Sequence, residues 1–143
     1  MKTLKKVLVV DDSKLIHQMY RLVLMQYKCA IVDAMNGLEA LELLSKEKDM
    51  DLILLDINMP VMNGIQFMER LKETGLYKHI PIIVISTEGK EEDTLRALKL
   101  GAWGYVVKPF KSEALYGLIE KLQAKKPSPL MEKGLQRLMS PRE

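Results

Sequence analysis

The sequence predicts an α/β fold: a doubly wound, five-stranded parallel sheet with helices on both faces, followed by a short C-terminal tail. Strand-like and helix-like segments alternate five times along the 143 residues, the pattern of consecutive βαβ units. Four strand-like runs are continuously apolar, as parallel strands buried on both faces are. These runs are VLVV (7–10), LILL (52–55), IIVI (82–85) and YVV (105–107).

The elements follow one another in a regular order. We place strands near 6–10, 29–33, 51–56, 81–86 and 104–108, and helices at about 14–26, 37–47, 64–74, 90–99 and 112–124. The first and fifth helices each show an apolar face at helical spacing, which we expect to pack on the sheet. The faces comprise Leu15, Ile16, Met19, Leu22 and Val23 in the first helix, and Leu115, Leu118, Ile119 and Leu122 in the fifth.

Polar residues and glycines mark several helix ends. Asn36, followed three residues later by Glu39, indicates a capping box at the start of the second helix. Gly75 and Gly101 stand where the third and fourth helices end, because glycine adopts the left-handed conformation of a C-cap at little cost. These signals support the boundaries given above.

The composition changes beyond Gln123. The segment Lys125-Lys126-Pro127-Ser128-Pro129 ends the fifth helix and predicts a semi-rigid linker. After it come apolar residues at a weak helical spacing that Gly134 interrupts. Two interpretations stay open: a frayed end, or a short amphipathic helix that docks on this domain or on a partner. We therefore divide the chain into a domain over residues 1–124 and a basic, proline-containing tail over residues 125–143.

The bulk properties exclude several classes of protein. The net charge of +3 lies in the tail, since residues 124–143 hold five Lys/Arg and two Asp/Glu, which leaves 17 charges of each sign elsewhere. A neutral body gives little support to direct nucleic-acid binding. No apolar run reaches the roughly 18 to 20 residues of a membrane span, and no signal peptide precedes the first strand, so we expect a cytosolic protein without membrane insertion. The single cysteine, Cys29, excludes a disulfide framework.

Each of the four apolar runs ends at polar side chains, which are Asp11-Asp12, Asp56, Ser86 and Lys108. Because the carboxyl ends of parallel strands share one edge of the sheet, these side chains should meet in one crevice. Three adjacent carboxylates repel one another and therefore recruit a cation or shift a pKa. Oxygen ligands suit Mg²⁺, with Asp12 and Asp56 as direct ligands and Asp11 acting through water.

Asp56 is the candidate nucleophile of this crevice. Its run is the most continuously apolar, hence central in the sheet, and a carboxylate that attacks phosphorus becomes an aspartyl phosphate. Lys108 would neutralise phosphoryl oxygens, and Ser86 would donate a hydrogen bond to one. Taken singly, each residue has a simpler interpretation, such as a helix N-cap for the acidic pair. The hypothesis depends on all of them occurring together, in this order, at four strand ends.

Four blocks of the sequence carry a family resemblance: VLVVDDSKLIHQMY, LILLDINMPVMNG, PIIVISTEG and GAWGYVVKPF. They resemble the signature blocks of bacterial two-component response regulator receiver domains, and the resemblance covers about residues 5–124. It implies a flavodoxin-like (βα)₅ fold with strand order 2-1-3-4-5. It also implies a stand-alone regulator of the chemotaxis type and a cis bond between Lys108 and Pro109.

The resemblance assigns a role to each residue of the crevice. It implies phosphorylation at Asp56, Mg²⁺ binding by Asp11, Asp12, Asp56 and the backbone carbonyl of Asn58, phosphate contact by Lys108, and a switch formed by Ser86 and Tyr105. Asn58 and Glu88 are similar to the pair that positions a hydrolytic water in chemotaxis-type regulators. Thr87 is bulkier than the Ala or Gly common at its position, which would restrict access to Asp56. The Asn58 and Glu88 pair favours a short-lived phosphorylation, whereas Thr87 opposes access to Asp56. We expect slow self-dephosphorylation, tuned by Asn58, Thr87 and Glu88.

The partners follow from the same resemblance. A sensor histidine kinase or a histidine phosphotransfer protein would donate the phosphoryl group, and a downstream protein would bind the face made by residues 90–124. That target is a flagellar motor switch protein in the chemotaxis type, whereas a relay intermediate returns the phosphoryl group to a phosphotransfer protein. A homodimer of the phosphorylated form is a further alternative. Beyond its own phosphorylation and dephosphorylation, we expect no enzymatic activity.

Two rival classes fit the sequence less well. A Mg²⁺-dependent phosphoaspartate hydrolase resembles a D-x-D pattern after the first strand, whereas the nucleophile proposed here follows the third. A flavin-binding protein needs a phosphate-binding loop after the first strand, but Asp11-Asp12 occupy that position and would repel a phosphate. Two further residues stay open or unassigned: Trp103 either packs on the domain or anchors a partner, and His17 lacks a second histidine or cysteine at metal-ligand spacing.

Overall fold

A computed structural model describes residues 4–139, with the side chains of 137–139 left undescribed. Its five strands form one parallel sheet in the order β2-β1-β3-β4-β5, which confirms the predicted fold class and strand order. The strands are β1 (Lys6–Val10), β2 (Ala30–Ala34), β3 (Leu52–Leu55), β4 (Ile82–Ser86) and β5 (Gly104–Val107). Each lies within a residue or so of its predicted position.

Six α-helices occur among the described residues. They are α1 (Lys14–Val23), α2 (Gly37–Lys46), α3 (Gly64–Thr74), α4 (Glu91–Lys99), α5 (Ser112–Gln123) and α6 (Pro129–Met139). The first helix was predicted to continue to residue 26, but α1 ends at Val23 and the chain turns through a short 3₁₀ helix, Met25–Tyr27, into a left-handed Lys28. No helix within residues 4–139 has the length and apolar character needed to cross a membrane.

The sheet separates two apolar layers, because successive side chains of a strand point to opposite faces. Leu8 and Val10 of β1 face a layer shared with α2, α3 and α4, whereas Val7 and Val9 face a layer shared with α1 and α5. The fifth helix packs as predicted, with Leu115 and its apolar neighbours against the second layer. Both faces of the sheet are thus covered, and polar side chains gather at its ends.

The predicted apolar face of α1 is wrong in part. Leu15 and Leu22 are 78% and 69% exposed, whereas the buried residues of the helix are His17 and Tyr20. The buried face of the helix includes the polar His17, which has hydrogen-bond partners at the partly exposed Asp33 of β2 and at the backbone carbonyl of Asp11 after β1. Apolar periodicity alone does not predict that a histidine is buried in the core.

The helix caps agree in part with the sequence signals. Asn36 accepts a hydrogen bond from the backbone N–H of Glu39 at 2.9 Å, which is one of the two bonds of the predicted capping box, and Gly75 and Gly101 have positive φ values of 66° and 104°. A reciprocal capping box that the sequence analysis did not identify joins Asn63 and Gln66 at the start of α3. It fixes the first turn of the helix that follows the Asp56 loop.

The described part of the tail is helical and docked. Ser128 is buried, accepts a hydrogen bond from the N–H of Met131 at 3.0 Å, and donates one to the carbonyl of Trp103. Leu130 is buried in the layer shared with α4. Of the two interpretations of the tail, the structure has the docked helix, while residues 140–143 lie outside the described chain. Trp103 is partly buried against the α1–α5 layer, which agrees with packing.

Candidate functional site

The carboxyl edge of the sheet brings together the polar side chains that follow the strands. Lys108 places its Nζ atom 3.2 Å from Oδ2 of Asp11 and 3.4 Å from Oδ1 of Asp56. Carboxylate oxygens of Asp11, Asp12 and Asp56 all lie within 4.8 Å of one another. The predicted crevice of three carboxylates and one ammonium therefore exists. The Lys108–Pro109 peptide bond is cis, as the resemblance implies.

Backbone pairing between strands fixes two of the carboxylates. The N–H of Asp11 donates to the carbonyl of Ala34 at 3.1 Å, and that of Asp56 donates to the carbonyl of Val10 at 2.9 Å. Both residues continue the hydrogen-bonding pattern of the sheet by one position. Their side chains are thus carried by the rigid core rather than by mobile loops, which is what a preorganised site needs.

The acidic pair does not cap α1, so the simpler interpretation of Asp11-Asp12 is wrong. The N-cap is Ser13, whose Oγ accepts from the N–H of Ile16 at 3.3 Å. Oδ1 of Asp11 accepts from the N–H of Ser13 at 2.9 Å, which orients this carboxylate toward the crevice while its other oxygen meets Lys108. Asp12 is exposed at the mouth of the site.

Charge and burial compete at Asp56. Its side chain is only 11% exposed, and this burial raises the pKa of the carboxyl above its ordinary value. The Lys108 ammonium lowers that pKa and the Asp11 carboxylate raises it again, so the net shift is upward. One ammonium does not neutralise three carboxylates, and the cluster keeps a net negative charge that favours a bound cation.

The loop after Asp56 passes very close to the start of α3. The N–H of Gly64 donates to the carbonyl of Ile57 at 2.8 Å, and a Cβ atom at Gly64 would lie 2.4 Å from the backbone oxygen of Asp56. In between, Val61 is exposed and has a φ of 67°, a strained conformation for a β-branched residue. Asn58 is exposed in the same loop.

Ser86 and Tyr105 meet at the backbone of Glu88. The fully buried Ser86 accepts a hydrogen bond from the N–H of Glu88 at 3.1 Å, and the hydroxyl of Tyr105 donates to the carbonyl of the same residue. Thr87 and Glu88 themselves are exposed. The loop that connects β4 to α4 is therefore held by both residues of the predicted switch.

A network behind the site was missed by the sequence analysis. Nε2 of the buried His17 lies 2.8 Å from the backbone carbonyl of Asp11, and its Nδ1 lies 2.6 Å from Asp33, which also pairs with Arg21. Both histidine partners are acceptors, so the ring must donate from both nitrogens to make both bonds. The available signal was weak: a histidine and an arginine four residues apart on one helix, and an acid near the end of the second strand.

Asp33 should give the network a pH dependence. Burial opposes ionisation of this carboxyl, but hydrogen bonds from Arg21 and His17 outweigh it, so the pKa of Asp33 lies below its ordinary value. Its contribution is therefore present above the unfolded-state pKa of about 4 and lost as pH falls through the lower folded value.

Replacing Asp33 with asparagine should cost about 1 kcal/mol near neutral pH, a small value because the side chain is 36% exposed and solvent screens the pair. Thermal unfolding of both proteins, followed by circular dichroism from about pH 7 to about pH 3, checks this expectation. The difference in Tm should narrow toward the acid end. An unchanged difference across the range would contradict the assignment to the ionised carboxylate.

Comparison with known proteins places this arrangement in a family. The family model described as "Response regulator receiver domain" matches residues 7–120. The chain belongs to the response regulator receiver domain family. This membership makes the chain a signalling domain rather than an enzyme of the usual kind, and it agrees with an acidic cluster suited to Mg²⁺.

Relatives of the receiver domain include chemotaxis proteins. A CheY homolog of Campylobacter jejuni is 35% identical over 116 residues, covering 80% of this chain and 89% of that protein. The solved structure of Vibrio cholerae CheY4 at low pH is 36% identical, covers 82% of this chain and 98% of that one, and superposes with a TM-score of 0.74. A Borrelia burgdorferi complex of CheX, CheY, BeF₃ and Mg²⁺ is 29% identical, with coverages of 83% and 89% and a TM-score of 0.75.

Proposed function

We propose that this receiver domain accepts a phosphoryl group on Asp56 in a Mg²⁺-dependent reaction and signals through contacts with other proteins. The observation that carries the proposal is the placement of Asp56. It is a largely buried carboxylate, 3.4 Å from the Lys108 ammonium, with oxygens of two further carboxylates within 4.8 Å. A nucleophile, a cationic group and a metal-binding cluster thus share one preorganised crevice.

The donor set fits Mg²⁺. The cluster offers only oxygen ligands, from Asp11, Asp12 and Asp56, and we add the backbone carbonyl of Asn58 on the family pattern. Hard oxygen donors in small number, with room for water and phosphate oxygens, are the ligands that Mg²⁺ takes in proteins. When bound, the ion would offset the negative charge of the carboxylates and of the incoming phosphoryl group.

The transfer step is a displacement at phosphorus. An oxygen of Asp56 attacks the phosphoryl group of a phosphohistidine on a sensor kinase or a histidine phosphotransfer protein. The new O–P bond forms as the N–P bond breaks, and the departing imidazole takes a proton from solvent. Lys108 contacts the phosphoryl oxygens, and the hydroxyl of Ser86 donates to one of them once it turns from the Glu88 backbone.

Loss of the phosphoryl group would be slow. Asn58, Thr87 and Glu88 are exposed and lie close in sequence to Asp56 and Ser86, so on the family pattern they control access of water to the acyl phosphate. We assign Asn58 and Glu88 to positioning that water, and Thr87 to restricting its entry. Attack by water on phosphorus breaks the same O–P bond, releases inorganic phosphate and restores the carboxylate of Asp56.

Output would pass through Ser86 and Tyr105 to the face made by residues 90–124. Both residues hold the backbone of Glu88, so a Ser86 drawn toward the phosphate releases one of the two bonds that fix the loop before α4. This shifts a pre-existing equilibrium between two arrangements of that face. The partner is a protein rather than nucleic acid, and the related complex of Borrelia CheY with CheX is consistent with regulation by protein contact.

Phosphoryl incorporation followed by intact-protein mass spectrometry tests the proposal. With acetyl phosphate and Mg²⁺, the chain should gain the mass of one phosphoryl group, with an acid-stable and base-labile linkage, and EDTA should prevent the gain. Small phosphomonoesters should yield no sustained phosphate release. Multiple turnovers of such esters would contradict the regulator function and indicate a phosphoaspartate hydrolase instead.

Replacing Lys108 with alanine should separate phosphorylation from its transmission. The variant keeps Asp56 and the carboxylate cluster, so phosphoryl incorporation should persist at a reduced rate. It loses the ammonium that connects Asp11 and Asp56 to the end of β5. Hydrogen exchange in the loop before α4, measured with and without BeF₃⁻ and Mg²⁺, should then respond several-fold less than in the wild type. A wild-type response would remove Lys108 from the signalling pathway.

A further inference from the structure

The face that we assign to partners is already partly occupied by the chain itself. Helix α6 (Pro129–Met139) packs on α4 and on β5, which are two of the three elements between residues 90 and 124. The tail therefore does not project away from the domain at its described residues. It returns across the elements that lie downstream of Ser86 and Tyr105.

The contact between α6 and α4 is close. A Cβ atom added at Gly134 would lie 2.1 Å from Cδ2 of Leu98, so the absence of a side chain at Gly134 is what admits the leucine. Leu130 is buried together with Ala97, and Lys133 lies 3.9 Å from Glu91. The inner face of α6 is small and apolar, and the facing surface of α4 is complementary to it.

The same two elements carry the switch. Helix α4 begins at Glu91, three residues after Glu88, whose backbone is held by Ser86 and Tyr105. Strand β5 contains Tyr105 and ends directly before Lys108. A change that moves Ser86 and Tyr105 therefore acts on the two elements on which α6 rests.

We propose that α6 is an intramolecular occupant of the output face and that its docking is coupled to phosphorylation of Asp56. In the resting state α6 covers α4 and β5; phosphorylation moves the loop before α4, weakens the contact at Leu98 and releases the helix. The vacated surface then fits a partner that presents an amphipathic helix with a small or flat apolar face. The inference rests on the proposed function, because it needs Asp56 as the phosphoacceptor.

Hydrogen exchange of the full-length protein tests the release. Addition of BeF₃⁻ and Mg²⁺ should speed exchange of the α6 amides about tenfold or more, and the Asp56→Asn variant should show no such change. Fluorine NMR reports independently whether BeF₃⁻ is bound. If it does not bind, the proposed function fails; if it binds while α6 exchange stays unchanged or slows, only the coupling fails.

Reciprocity supplies a second test, because two coupled equilibria must shift each other by the same factor. Gly134→Val places a branched side chain against Leu98, whereas the matched control Leu135→Val puts the same residue one position further along α6, where the side chain is 58% exposed. In the wild type, BeF₃⁻ should speed exchange of the α6 amides by a certain factor, and Gly134→Val should raise BeF₃⁻ affinity by the same factor. Leu135→Val should leave BeF₃⁻ affinity unchanged.

A milder variant keeps the test decisive if Gly134→Val does not fold. Ser128→Ala removes the N-cap of α6 and the hydrogen bond to the carbonyl of Trp103, which weakens docking without touching α4. It should raise BeF₃⁻ affinity several-fold. Faster α6 exchange in either variant without any gain in affinity would overturn the coupling.

Discussion

Replacing Asp56 with asparagine should abolish phosphoryl incorporation and weaken the stabilisation of the fold by Mg²⁺. An amide has no anionic oxygen to attack phosphorus, and neither Asp11 nor Asp12 follows the central strand β3 as Asp56 does. Labelling with acetyl phosphate should fall below detection. Base-labile labelling that persists in the variant would move the phosphoacceptor elsewhere.

The stability effect has a sign that depends on the metal. The pKa of Asp56 is raised, chiefly by burial, so the folded state disfavours its ionised form. Stability from this group is present below the unfolded-state pKa and lost as pH rises through the folded value; at neutral pH the charge destabilises the metal-free protein. The neutral asparagine should therefore raise the Tm of the metal-free protein by a few degrees, since about 1 kcal/mol corresponds to roughly 2 to 8 °C.

In saturating Mg²⁺ the wild type should instead be more stable than Asp56→Asn. A ligand that binds only the folded state stabilises it by about 2.7 kcal/mol at a hundred times its Kd, and the variant loses one of the three carboxylates. Differential scanning calorimetry with EDTA and with Mg²⁺ measures both values. Asp12→Asn is the matched control: it also removes a carboxylate of the cluster but leaves the nucleophile, so labelling should persist at a lower rate. The same Mg²⁺ response in wild type and Asp56→Asn would contradict ligation by Asp56.

The sequence was informative where the physics is local or periodic. Continuously apolar runs mark strands buried on both faces, and the edge rule for parallel strands then requires Asp11, Asp56, Ser86 and Lys108 to meet. The prediction needed no distances, because strand ends in one parallel sheet are neighbours by construction. The structure places Nζ of Lys108 3.2 Å from Asp11 and 3.4 Å from Asp56, as that topology requires, while the Ser86 hydroxyl bonds the Glu88 backbone instead.

The sequence was uninformative where the outcome depends on a partner distant in the chain. His17 is buried because Asp33 and the carbonyl of Asp11 receive its two ring nitrogens, and no periodicity in α1 encodes that. The sequence pattern predicted that Gly134 interrupts a helix, yet in the structure it is the point where α6 approaches Leu98. In each case a residue that is unfavourable locally is explained by a tertiary contact, which overrides propensity.

Replacing Gly64 with alanine should damage both the fold and the site. The new Cβ atom would lie 2.4 Å from the backbone oxygen of Asp56 and 2.9 Å from Cα of Ile57. Both are backbone atoms that a rotamer change cannot move, so α3 must retreat or the loop carrying Asp56 must shift. Overpacking of this kind costs about 1 to 3 kcal/mol, and we expect a Tm lower by roughly 5 to 15 °C.

The loss of phosphorylation rate in Gly64→Ala should be larger than its loss of thermal stability implies. A displacement of about 1 Å at a reacting group can cost on the order of 10²-fold in rate, and a Cβ at Gly64 would clash with the backbone of Asp56, the proposed phosphoacceptor. Phosphorylation rates with acetyl phosphate, measured well below the Tm of the variant, separate this effect from unfolding. Gly117→Ala is the control, since its Cβ meets nothing within 4 Å and alanine favours a helix interior. If Gly64→Ala matched that control in rate and Tm, close packing of α3 on the Asp56 loop would not be what holds the nucleophile in place.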